Sequence, residues 1–158
     1  MKKHFGFLLA LGVFILDRVS KYWVVDVIGL EKNGPLDLLS FFELRFVENT
    51  GISLGLFQMD GDLGKYFLIA VTGAVSIVVA VWLWRATTGL LRAGLGLVLG
   101  GALGNIWDRF EYGGVADFLH FYLGDWSFYI FNVADAAITT GILLLLWDAL
   151  LLTQKKNK

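Results

Sequence analysis

Residues 67–84 read FLIAVTGAVSIVVAVWLW, 18 consecutive positions without one charged side chain. As a helix this run reaches about 27 Å at 1.5 Å per residue, close to the ~30 Å hydrocarbon thickness of a bilayer. A segment that is apolar on every face needs either lipid or a large core around it. The remainder of the chain points to lipid, because 57% of its 158 residues are hydrophobic and only 17% charged, with a mean hydropathy of +0.68. The composition is that of a membrane protein.

Three further apolar runs follow the same logic. The predicted spans cover about 5–28, 67–84, 91–107 and 131–152, all within one membrane domain, 1–158. They leave two long loops, 29–66 and 108–130, and a short turn at 85–92. Lys2-Lys3 before an apolar run resembles the start of a cleaved leader. That run ends in LDRVSK, without a small-x-small cleavage site, so it reads as a retained first span.

Charge sets the orientation. With both termini and the 85–92 turn on one side, that side holds Lys2, Lys3, Arg85, Arg92, Lys155, Lys156 and Lys158 and no acid outside the spans. The opposite side holds ten acids against Lys32, Arg45, Lys65 and Arg109. The positive-inside rule then places both termini in the cytoplasm and the long loops outside.

Span three reads AGLGLVLGGALGN, with Gly96, Gly100 and Gly104 at four-residue spacing. Such a face lets a second helix approach closely, so it reads as a packing seam. In the first outer loop, Phe42, Leu44 and Phe46 alternate with Glu43 and Arg45, the pattern of a half-buried strand. Gly51 and Gly55 follow as turn positions. The predicted fold class is an all-α integral membrane protein with four transmembrane helices and a small sheet-like element in the first outer loop, which the aromatic 108–130 loop could extend.

Gly51-Ile52-Ser53-Leu54-Gly55 matches G-x-S-x-G, the pattern of a nucleophilic serine on a sharp turn. Here it follows a strand-like run in a loop, with no helix starting at Ser53. Of the two histidines, His4 falls on the cytoplasmic side and only His120 faces outward as a base. A Ser20–Lys21 pair is weaker, because adjacent helical residues point to different faces. The absence of cysteine excludes thiolate metal sites and cysteine nucleophiles, two histidines argue against a histidine-rich metal site, and no basic stripe suggests nucleic acid.

The polar residues within the apolar runs are concentrated at the outer ends. Asp17 and Lys21, Asn105 and Arg109, and Asn132 and Asp135 each share a helix face at i,i+3 or i,i+4 spacing. Asn49 and Asp117 lie in the outer loops. Charges near the bilayer interior are costly and usually face the bundle. Asp17 and Lys21 read equally as a buried ion pair or as substrate contacts. Asp148 reads as snorkelling at the cytoplasmic end, and Asp26, Asp60, Asp62 and Asp125 as solvated. Asp117 and Asp135 each follow a small residue and lack a local cationic partner. Two carboxylates brought together in a low-dielectric site share a proton, which supplies acid and base for peptide hydrolysis. Intramembrane carboxylates mark proton paths as readily, so a small transporter, or a scaffold using the glycine face, is an equal reading of the residues alone.

Five ordered segments, Asp17-Arg18-Val19-Ser20-Lys21, Asn49-Thr50-Gly51, GGALGNIWDR (100–109), GGVADFLHF (113–121) and FNVADAAI (131–138), resemble the bacterial lipoprotein signal peptidases, or type II signal peptidases. The resemblance is collinear over essentially the whole chain. It implies a four-span aspartic peptidase of the bacterial inner membrane, with both termini cytoplasmic and the active site near the outer face. Asp117 and Asp135 would be the catalytic dyad. Asn49, Gly51, Asn105, Arg109 and Asn132 would support the site or contact substrate, and Asp17 and Lys21 would hold the first span against it. It further implies no cofactor, a monomer among membrane lipids, and prolipoprotein substrates cut before a diacylglyceryl-modified cysteine. Ile52-Ser53-Leu54 and Ala116 depart from residues frequent in that family and bear on the shape of the substrate groove.

Overall fold

The computed structural model describes residues 4–51 and 61–156; Ser53, Gly55 and Asp60 lie outside them. Four long helices carry the architecture: α1 (Phe5–Tyr22), α3 (Gly61–Arg85), α4 (Gly89–Glu111) and α5 (Val133–Lys156). Three of them include stretches long and apolar enough to cross a membrane, Asp62–Arg85, Gly89–Glu111 and Val133–Leu151, with mean hydropathies of 2.3, 1.4 and 1.6. The first predicted span is continuous, but its α-helix ends at Tyr22 and Trp23–Ile28 continue as a π-helical segment. Gly29 then takes a left-handed conformation, φ 68°, and a short helix α2 (Leu30–Asn33) follows.

Between the helices lies one antiparallel sheet in the order β1 (Leu36–Leu39), β2 (Phe42–Asn49), β3 (Val115–Leu123) and β4 (Trp126–Ser127). The 108–130 loop thus extends the strand predicted in the first loop. Leu44 is buried with Val24, Leu30 and Phe118 in a small core beneath the sheet. The expected alternation fails at Glu43, which is buried rather than exposed. Hydrogen bonds from Arg45 and from His120 compensate for burying it.

α4 is the central helix. Its glycine face receives α1: a Cβ built on Gly100 would lie 2.5 Å from the Ala10 carbonyl oxygen, and one on Gly96 2.5 Å from that of Gly6. On another side, Gly101 meets α5 equally closely, 2.5 Å from the Ala134 carbonyl oxygen. α1 is arranged inside-out. It buries Gly6, Ala10, Val13, Asp17 and Lys21, while Leu8 and Val19 remain 66% and 58% exposed.

Asp148 departs from the sequence expectation. It is buried and accepts a 2.8 Å hydrogen bond from the hydroxyl of Thr88, which also caps the N-terminus of α4 through Leu91 N–H. The carboxylate joins the ends of α4 and α5 instead of snorkelling to water, because a capped hydroxyl offers it a partner within reach. Asp26, Asp62 and Asp125 are exposed, as expected of solvated charges.

Candidate active site

Asn132 stands immediately before α5, in the position that caps a helix. Its side-chain oxygen accepts from Asp135 N–H at 2.9 Å, and the Asp135 carboxylate reaches back to Asn132 N–H at 3.4 Å. This reciprocal capping box fixes Asp135 on the first turn of the helix. The next free helix donor, Ala134 N–H, is satisfied by Asp17 Oδ1 at 3.1 Å. Asn-Val-Ala-Asp is therefore both a helix start and the device that aims one carboxylate.

Asp117 comes from β3, opposite Val47 of β2, and Asn49 lies two residues further along β2 on the same face. Asn49 is itself oriented by a local turn in which its Oδ1 accepts from Gly51 N–H at 3.0 Å. Its Nδ2 then donates to Asp117 Oδ2 at 3.1 Å. Asn132 Nδ2 donates to the other oxygen of Asp117 at 2.6 Å. Asn132 thus bridges the two aspartates: its oxygen accepts from the backbone of Asp135 and its nitrogen donates to the carboxylate of Asp117.

Asn105 on α4 donates to Asp135 Oδ1 at 2.9 Å, and its own oxygen accepts from Lys21 Nζ at 3.2 Å and Asn132 Nδ2 at 3.3 Å. Lys21 is fully buried, 2.9 Å from Asp17 and 2.6 Å from Asp108. Arg18 pairs with Asp108 as well and lies 3.4 Å from the exposed Glu111, so the network holds three acids and two bases. Isolated ions here would be costly, and mutual pairing is what makes their burial tolerable. Asp108 also accepts from Ala116 N–H at 3.2 Å, which ties the end of α4 to the strand carrying Asp117. Arg109 is buried, donating to the Asn105 carbonyl at 3.1 Å and the Gly51 carbonyl at 2.7 Å, while its Nε has no partner among the described residues.

Asp117 and Asp135 line one cavity with Asn49, Tyr129, Ile130, Ile138 and Thr139. Its volume is about 50 Å³, room for water at the carboxylates. Burial first, and then the charge of Asp135, push the Asp117 carboxyl up to about 7, although the hydrogen bonds from Asn49 and Asn132 pull the other way. A carboxyl so placed holds or releases a proton near neutral pH, as acid–base chemistry requires.

The sequence reading passed over Asp108, Arg18, Tyr129 and Ile130. Asp108 was legible, since it sits three residues after Asn105 on the same helix face. Tyr129 and Ile130 carry no such signal, because only the fold brings the segment after β4 to the cavity. Gly51 and Arg109 meet directly, which loop and helix positions alone do not show.

This architecture is that of a membrane enzyme: a bacterial membrane enzyme solved by the in meso method at 2.3 Å resolution superposes with a TM-score of 0.81 and 26% identity, covering 97% of this chain and 90% of that one. The family model for signal peptidase (SPase) II matches residues 9–151. A lipoprotein signal peptidase of Sphingopyxis alaskensis is 47% identical over 155 residues, 98% of this chain and 90% of the relative. Another from Methylocella silvestris is 44% identical over 145 residues, 92% of this chain and 85% of the relative. The chain belongs to the signal peptidase II family and is by that membership a peptidase.

Proposed function

We propose that this protein is a four-span aspartic endopeptidase of the bacterial inner membrane. It removes signal peptides from diacylglyceryl-modified prolipoproteins, cutting on the amino side of the lipidated cysteine. The observation that carries this reading is the single cavity lined by Asp117 and Asp135, with Asn132 bridging them. The substrate class follows from the relatives, which are lipoprotein signal peptidases.

α1 is the fourth span. Its charges are tucked against α4 and α5 while its apolar residues face outward, the arrangement a lipid-bathed helix with a functional inner face requires. The positive-inside rule puts both termini in the cytoplasm and the sheet outside. The cavity then lies near the outer surface, where the signal-peptide helix and acyl chains can remain in lipid while the scissile bond reaches the carboxylates.

Hydrolysis proceeds with one proton shared by the dyad. The ionised carboxylate takes a proton from water as its oxygen bonds to the scissile carbonyl carbon, and the protonated carboxyl gives its proton to the carbonyl oxygen. The tetrahedral diol collapses and the C–N bond breaks; the amine leaves with the proton held by one carboxyl, a diol hydroxyl returns its proton to the other carboxylate, and the one-proton state is restored. Asn49, Asn105 and Asn132 orient the carboxylates. Arg109 holds Gly51 through the glycine carbonyl. Asp17 and Lys21 brace Asn105 from behind. The enzyme works as a monomer, without a cofactor.

The serine alternative is weakened by His120, the base that Ser53 would need. That ring is occupied by Glu43 and Ser127.

Cleavage of a synthetic lipidated prolipoprotein by the purified protein, followed by mass spectrometry, tests the proposal. The expected product begins at the diacylglyceryl cysteine, and the unlipidated peptide stays intact. Cleavage elsewhere, or equal cleavage of the unlipidated peptide, would contradict it.

A further inference from the structure

Tyr129 and Ile130, which line the dyad cavity, belong to residues 128–130, a stretch without regular secondary structure between β4 and α5. The position of this arch therefore depends on how its two ends are fastened. The end nearer α5 is fixed by backbone. The Phe131 carbonyl accepts from Phe118 N–H at 3.1 Å and Leu119 N–H at 2.8 Å, and Phe131 N–H donates to the Leu119 carbonyl at 3.1 Å.

The other end is held by backbone and side chains together. β4 is two residues long, pairing Trp126 and Ser127 with Leu123 and Tyr122, and Phe128 N–H donates to the Phe121 carbonyl at 2.9 Å. Side chains supply the rest. His120 of β3 lies opposite Glu43 of β2 in direct register, with Nδ1 2.7 Å from Glu43 Oε1. Its Nε2 lies 2.7 Å from the hydroxyl of Ser127. Glu43 and His120 are only 5% and 8% exposed. The Arg45 hydrogen bond, aided by that of His120, holds the Glu43 carboxyl below the usual carboxylate range despite its burial. An ionised Glu43 can only accept, so Nδ1 donates and the ring is locked in orientation. The Ser127 hydroxyl also lies 3.3 Å from the Phe128 carbonyl, at the first residue of the arch.

We propose that Glu43, His120 and Ser127 form a latch joining three strands, which fixes the β4 end of the arch and sets the substrate-facing wall made by Tyr129 and Ile130. These are positioning residues. They act on substrate binding through that wall and leave bond breaking to the dyad, so the inference rests on the dyad reading. Carboxylate, imidazole and hydroxyl in this order also have the connectivity of an activated serine. The hydroxyl's second contact, to the backbone of the arch, favours fastening over nucleophilic attack.

Cleavage kinetics on lipidated prolipoprotein test the latch. Ser127→Ala removes an exposed hydroxyl outside the cavity. It should raise apparent KM about three- to tenfold, the scale of one net hydrogen bond, with kcat within about twofold. Ser127→Thr, which keeps a hydroxyl, should restore KM. The double variant with His120→Ala should be no worse than the more impaired single variant, as expected of residues in one network. If His120→Ala fails to fold, the two Ser127 variants decide the matter. Wild-type KM in Ser127→Ala, or a fall in kcat at unchanged KM, would overturn the latch. So would labelling of Ser127 by a fluorophosphonate, which would make it a nucleophile. Asp117→Asn in the same assay separates the two readings: activity there defeats the dyad, whereas an unchanged Ser127→Ala beside an inactive Asp117→Asn defeats the latch alone.

Discussion

Asp117 accepts a hydrogen bond on each carboxylate oxygen, from Asn49 and from Asn132, while burial and the neighbouring Asp135 oppose its ionisation. The balance sits at about 7, so Asp117 gives up its proton as pH rises through that value. Asn49 pulls this value down, so Asn49→Ala should move the alkaline limb of the pH–activity profile upward, read from kcat/KM across pH. A limb that stayed in place or moved down would contradict the role given to that hydrogen bond. The same raised value has a sign for stability. Asp117 contributes most when protonated, below its unfolded value, and that contribution is lost as pH rises through about 7. At this scale the sequence was legible where helical spacing groups side chains. Asn105 with Arg109, and Asn132 with Asp135, were visible as pairs sharing a face, and both pairs meet in the structure. Glu43 and His120 were not visible as a pair, because cross-strand register depends on bulges and turns that a single sequence does not specify.

Helix contacts were legible for a different reason. Glycine at every fourth position has one strong physical meaning in lipid, close approach of another helix, and α1 occupies that face of α4. The expected consequence is steric. Gly100→Val should destabilise the protein by about 1–3 kcal/mol or more, because the added carbon meets the backbone of Ala10 and not a flexible side chain. Gly12→Val is the control, since nothing lies within 4 Å of a Cβ there. Thermal unfolding in detergent reads both, and equal melting temperatures would contradict the seam. Element ends were less legible. α3 begins at Gly61, six residues before the charge-free run at Phe67, because Asp62 and Lys65 are tolerated in a helix that the apolar window excludes. The π-helical segment at Trp23–Ile28 left no mark in the sequence.

Across the whole molecule, the candidate site is assembled from segments that are far apart in the chain. α1 gives Asp17 and Lys21, β2 gives Asn49, α4 gives Asn105 and Arg109, β3 gives Asp117, and α5 gives Asp135. No short motif could show this convergence; the pattern of polar residues at one depth suggested it, and the buried Lys21–Asn105–Asp135 chain is its physical form. The G-x-S-x-G stretch, the most familiar motif by eye, includes Ser53, outside the described residues, beside Gly51, whose carbonyl holds Arg109. Cleavage of a lipidated prolipoprotein by purified Asp117→Asn, Asp135→Asn and Ser53→Ala proteins, each shown to be folded, tests the central claim most directly. Both aspartate variants should lose at least about 10²-fold in kcat, the lower bound for removing an acid–base group, while Ser53→Ala keeps most of its activity. An active Asp117→Asn or Asp135→Asn enzyme, or an inactive Ser53→Ala, would contradict the account.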